Sequence, residues 1–179
     1  MAAKRRFGSA EMAMLGQAME VAEEKVSDFF HLSDGSWRRY PYELRTLAEL
    51  LPAEVSREAL AQVLKLRKPP AQGHYRSKDF FRICLQDHNL LGLVRREGAG
   101  ELLLPVLTYV LAHELVYVVR FYRFQHLFEA TPQERAVEEA RVHDLATRIL
   151  RPVRLPHLER VLNMTEEWAA ARSGRLGFC

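Results

Sequence analysis

Cysteine is scarce: Cys84 lies inside an apolar run, Cys179 is the last residue, and neither has a partner at metal-site spacing. That excludes a disulfide framework and a cysteine-based zinc finger, and the expected compartment is the reducing cytoplasm. No glycine-rich loop is placed to cradle a phosphate, and no Ser, His and Asp fall in an order that defines a nucleophilic triad. The sequence has no apolar run near Met1 of the kind a secretory signal uses. The longest apolar stretch, 102–119, is interrupted by Pro105, His113 and Glu114, so no membrane span is expected. Neither sign of charge dominates, because 26 Lys and Arg against 23 Asp and Glu leave a formal net charge of +3. Only Lys4-Arg5-Arg6 forms a compact basic cluster, and it reads as a solubilising tail, so no nucleic-acid partner is expected.

What the chain does have is ordinary globular material. Its 48% hydrophobic and 27% charged residues can bury one substantial core over 179 positions. Ser9 is placed to cap an amphipathic helix running through Met12, Leu15, Met19, Val26, Phe29 and Phe30. An aromatic and basic cluster follows at 37–42, expected to anchor its rings in the core and leave its arginines solvated. Two short helices are then expected at 43–51 and 55–67, separated by Pro52. The Pro69-Pro70 pair and Gly73 mark a linker at 68–75. Beyond it, 80–85 and 90–94 read as two short strands joined near Asp87-His88-Asn89. A long apolar helix is expected over 102–128. Thr131 and Pro132 supply the cap and first turn of the next one, which ends near Pro152, and a last helix covers 155–171. The expected fold class is therefore α+β and mostly helical, with a helical lobe at 1–67, a core at 76–152 and a C-terminal helix and tail at 153–179.

Chemistry concentrates in the long helix. His113-Glu114-Leu115-Val116-Tyr117 places positions 113 and 117 one turn apart on one face. This is the layout of a zinc-peptidase helix with tyrosine in place of the second histidine. In the intact motif two imidazoles hold Zn²⁺ and the glutamate polarises a metal-bound water. On the following helix Glu138 and Glu139 flank the apolar stripe of Val142, Leu145, Ala146, Ile149 and Leu150 about equally, and His143 lies one turn beyond Glu139.

The segment from Glu139 to Pro152, together with Leu111-Ala112-His113-Glu114-Leu115, resembles the ImmA/IrrE type of minimal gluzincin. In that family a ligand glutamate is followed by a small residue, an Asn or Asp, an aromatic-Ala pair and a Leu-Leu-x-Pro ending. Here Glu139 takes the ligand position, Val142 the small residue and His143 the Asn/Asp. Leu145-Ala146 stand for the aromatic-Ala pair and Ile149-Leu150-Arg151-Pro152 for the ending. The resemblance spans 80–152. It implies a minimal zincin-like domain, a short sheet whose edge holds a peptide in extended form, backed by two metal-bearing helices. His113 and Glu139 would be zinc ligands and Glu114 the general base of a hydrolase.

Tyr117 leaves three arrangements open. It ligates the metal weakly through its phenol, or His143 replaces it to complete a set with His113 and Glu139, or it plugs the cavity of a pseudoenzyme. The corresponding partner is a peptide or protein, as substrate or as ligand of a non-catalytic binding or assembly module. A di-iron helical protein is disfavoured because paired Glu-x-x-His motifs are missing. Arg120, on the same stripe as Tyr117, is expected to pair with Glu138 or Glu139. His126 is expected to serve as a surface partner of the helix dipole, and His88 as a turn residue.

Overall fold

A computed structural model describes residues 4–33, 35–68, 78–125 and 129–172. It bears out the α+β, mostly helical class: the described residues form six α-helices and one sheet of three strands.

The first helix, α1 (Ser9–Phe30), buries Leu15, Ala18, Ala22 and Val26, a stripe at helical spacing. That stripe includes the two alanines, and Met12 and Phe29, expected on the buried face, lie off it and are exposed. Gly8, not Ser9, is the N-cap residue. The expected hydroxyl cap is replaced by Glu11, whose carboxylate accepts the Gly8 N–H at 2.9 Å. A single turn, α2 (Ser36–Arg39), follows; the Trp37 indole donates to the Ser27 hydroxyl at 3.1 Å and meets Tyr42 edge-on at 5.3 Å, while Arg38 and Arg39 stay in solvent.

The two helices expected at 43–51 and 55–67 are corrected. Tyr42–Arg45 forms β1, Pro52–Glu54 a single 3-10 turn, and Ala61–Lys68 β2. In β1, Tyr42 and Leu44 pack on the core and alternate with Glu43 and Arg45, a period of two that helical propensity obscured. Lys78–Leu85 is β3, matching the strand expected there. It is the middle strand, parallel to β1 and antiparallel to β2, with Val63 opposite Ile83 and Tyr42 opposite Phe81. The expected lobe at 1–67 is therefore not purely helical: it supplies two of the three strands, and α1 shares one hydrophobic core with the helices beyond β3. The expected linker falls almost entirely within 69–77, outside the described residues.

The second expected strand, 90–94, is also corrected, since Asp87–Arg96 is a helix, α3. Leu90, Leu91, Leu93 and Val94 are all buried at positions i, i+1, i+3 and i+4, one helical face. His88, expected in a turn, lies in its first turn, with Nε2 3.0 Å from the Ser56 carbonyl. The side chain of Asp87 turns away from its own helix. Its carboxylate accepts the Phe7 N–H at 2.9 Å and the Leu47 N–H at 3.0 Å, joining the chain before α1 to the segment after β1.

The long apolar helix is α4 (Leu103–Tyr122), shorter than the expected 102–128. By length and composition alone the 100–122 segment could cross a membrane, but 94% of its most apolar window is buried inside the fold. α1, α5, α6 and the sheet all pack against it. α5 (Pro132–Leu150) begins as expected. Glu134 N–H donates to the Thr131 hydroxyl at 3.3 Å and the Glu134 carboxylate accepts the Thr131 N–H at 2.8 Å, with Pro132 in the first turn. α6 (Leu158–Arg172) closes the core with Leu158, Val161 and Leu162.

Candidate functional site

Along α4, Tyr109, His113, Tyr117 and Phe121 stand at four-residue intervals and form one stripe. α5 lies across that stripe, and the facing side chains pair in order. Tyr109 hydroxyl meets His143 Nδ1 at 2.7 Å. His113 Nε2 lies 3.3 Å from Glu139 Oε1. Tyr117 hydroxyl donates to Glu139 Oε2 at 2.6 Å. Below them Arg120 grips Glu138 with both prongs of its guanidinium, one contact being Nη2 to Oε2 at 3.0 Å. The structure thus separates the two adjacent glutamates that the helical wheel left equivalent: Glu139 faces His113 and Tyr117, and Glu138 is held by Arg120 and, at 3.3 Å, by Arg141.

The centre is dry on one side and partly open on the other. His113, Glu114 and Tyr117 are buried, whereas the Glu139 side chain keeps 21% of its surface exposed. Glu114 sits 3.3 Å from His113 Nδ1, on the side of the ring away from Glu139. Burial alone pulls the His113 imidazole down. The charge of Glu139, bonds to Glu114 and Glu139, and the charge of Glu114 together outweigh it and raise the group to about 10. Burial also pushes the Glu114 carboxyl above its ordinary range, against the lowering effect of its bond to His113.

A catalytic zinc would impose a fixed spacing on this donor set. Two ligands bonded tetrahedrally at about 2.0–2.1 Å stand roughly 3.3 Å apart. The 3.3 Å between His113 Nε2 and Glu139 Oε1 matches that spacing. The third ligand does not follow. The Tyr117 phenol is spent on the second oxygen of Glu139, and His143, the alternative, is directed at Tyr109. Among the described residues no group of three or more His, Cys, Asp and Glu is gathered to hold a metal ion. A catalytic zinc needs three protein ligands and an open position, so this set does not fit one as it stands.

Tyr109 was not singled out in the sequence, although its place one turn before His113 on the same face was the available signal. Arg120 pairs with Glu138, one of its two expected partners. His126 lies outside the described residues. Comparison with protein-family models, with curated proteins and with solved structures finds no match.

Proposed function

We propose that this protein is a metallopeptidase-like domain of gluzincin layout in which the hydrolytic centre has been closed, leaving a non-catalytic module that binds a peptide or protein partner. The observation that carries the reading is the 2.6 Å bond from Tyr117 to Glu139 Oε2, which ties up the phenol standing at the third-ligand position and leaves only His113 Nε2 and Glu139 Oε1 at metal-ligand spacing. Glu114 supports it too. A general base must reach the attacking water, and this carboxylate is buried beside His113. The fold supports the layout itself. A three-stranded mixed sheet precedes α4, and its antiparallel member β2 is an outer strand, the kind of position at which a peptide strand adds to a sheet.

The test is zinc content of the purified full-length protein, by elemental analysis after dialysis against zinc, for wild type and Tyr117→His. Wild type is expected to hold well under one equivalent, and Tyr117→His to approach one by completing the set with His113 and Glu139. Near-stoichiometric zinc in wild type that His113→Ala and Glu139→Ala both remove would establish a working metal site and overturn the closed-centre reading.

A further inference from the structure

The register of the sheet leads beyond the centre on α4 and α5. On the core face of β3, Leu85, Ile83 and Phe81 are buried, and Asp79 comes next on the same side. Opposite them on β2 stand Ala61, Val63, Lys65 and Arg67, so the core face runs out into charge at one end of the sheet. There the end of α4 and the turn of α2 enclose a cavity of about 530 Å³, within the range that holds small organic ligands.

Its walls are aromatic and its rim is basic. Phe81 and Phe121 stack at 5.2 Å, and Tyr122 meets Phe81 edge-on at 4.9 Å. Three cationic side chains, Arg38, Arg39 and Lys65, line it against one carboxylate, Asp79. Lys65 at 3.2 Å and Arg67 at 3.5 Å already neutralise that carboxylate. Arg39 is held by the hydroxyls of Ser33 and Ser36 at 3.4 and 3.2 Å, and neither it nor Arg38 pairs with a carboxylate among the described residues. The site therefore presents positive charge with no carboxylate of its own beside the edges of packed aromatic rings.

Phe124 gives the independent sign. α4 ends in a complete Schellman turn: Gln125 N–H donates to the Arg120 carbonyl at 2.9 Å and Phe124 N–H to the Phe121 carbonyl at 3.1 Å. The left-handed residue of that turn is ordinarily glycine, yet here it is Phe124, at φ 54°. Arg123 fixes the turn by donating to the Phe30 carbonyl at 3.0 Å and lying over the Phe30 ring. The result is a phenyl group 87% exposed at the mouth of the cavity. A bulky residue in a strained conformation, with its ring largely in water, costs stability, and among the described residues no ring contact of Phe124 offsets that cost.

We propose that this cavity is a binding site for a small ligand with a flat apolar or aromatic body and one anionic group, a carboxylate or a phosphate. The body would lie under the exposed Phe124 ring and against the edges of the buried Phe81–Phe121 pair, and the anion would be taken by Arg38 and Arg39. The site stands independently of whether the centre on α4 and α5 holds zinc.

The test is calorimetric titration of the full-length protein at low ionic strength with 2-naphthoate, 2-naphthyl phosphate and the neutral 2-naphthylmethanol. At least one anion is expected to saturate the protein with Kd below about 1 mM, and the neutral compound to bind at least tenfold more weakly. The double variant Arg38→Ala/Arg39→Ala, which removes two exposed cations and the Arg39 bonds to Ser33 and Ser36, is expected to keep its fold by circular dichroism and to lose at least tenfold in affinity for the anion. Phe124→Gly separates ligand binding from folding, because it relieves the left-handed strain: Tm is expected to rise by about 2–4 °C while anion affinity falls at least fivefold. Failure of both anions to saturate, equal binding of the neutral compound, or full affinity in Arg38→Ala/Arg39→Ala would overturn the proposal. An acidic aromatic pentapeptide binding a hundredfold more tightly than either anion would also overturn it, in favour of a protein-docking surface.

Discussion

Arg120 reaches from α4 to α5 and bonds Glu138 through both prongs of its guanidinium, one residue away from the carboxylate that receives the Tyr117 hydroxyl. Both partners are buried, so the pair fixes the rotation of α5 about its own axis and with it the presentation of Glu139.

Removing Glu138 takes from the buried Arg120 guanidinium the carboxylate it grips, while removing Arg120 leaves Glu138 to Arg141, which bonds it at 3.3 Å. Arg120→Ala or Glu138→Ala is expected to cost about 3–5 kcal/mol in urea unfolding, and Arg120→Met combined with Glu138→Leu markedly less than the sum of the singles. Additive losses would show that the two side chains are not coupled.

Tyr117→Phe deletes one hydroxyl and leaves the ring stacked on Phe121 at 5.6 Å. Because Glu139 retains access to water, the expected cost is modest, about 1 kcal/mol, at the low end for a carboxylate that loses a donor. A cost above about 3 kcal/mol would mean that the bond is a pillar of the α4–α5 contact and not a local closure.

Asp87→Ala removes the acceptor shared by Phe7 and Leu47. The expected loss is about 2–3 kcal/mol, for one buried donor at Leu47 and one half-buried donor at Phe7 left without their acceptor. Amide exchange should accelerate first at Phe7 and Leu47, and exchange that quickens evenly across α3 instead would assign Asp87 to helix stability.

Acid weakens the sheet by a defined route. The Leu51 N–H, bonded at 2.9 Å, holds the Glu54 carboxyl below its ordinary value of 4.5, and Arg82 lowers it further against the opposing effect of burial. A carboxyl whose folded value is depressed binds protons more readily when unfolded. Its contribution is therefore complete above 4.5 and is lost as pH falls below that point through the folded value. Urea unfolding of wild type and Glu54→Gln between pH 6 and pH 3 checks this: the gap between the two should narrow on acidification, and a constant gap would contradict it.

The helices α4 and α5 were legible because each carries a long stripe and α5 a cap of Thr131, Pro132 and Glu134, local signals that no distant contact has to supply. α3 was misread for a physical reason. The run Leu90 to Val94 is nearly continuous in apolar residues, and such a run fits a buried strand and a buried helix equally. Asp87 and Asn89, read as turn residues, are equally at home in a first helical turn. β1 and β2 were hidden because their pairing partner, β3, lies beyond residues 69–77, and strand identity depends on that distant pairing more than on propensity. In the site, spacing along one helix brought His113 and Tyr117 together in advance. The meeting of Tyr109 with His143 depends on the sliding register between two helices, which intrahelical spacing does not encode.

The middle position of β3 in its sheet sets how the chain can be divided. A fragment starting at Gly73 would keep β3 and discard both strands that flank it, β1 and β2, along with the alanine-lined helix seated on α4. What survived would offer two raw rows of amide and carbonyl groups beside a newly bared greasy trough, the surface on which copies of a polypeptide clump together. Roles within this molecule are therefore better apportioned by single substitutions than by cutting it in two.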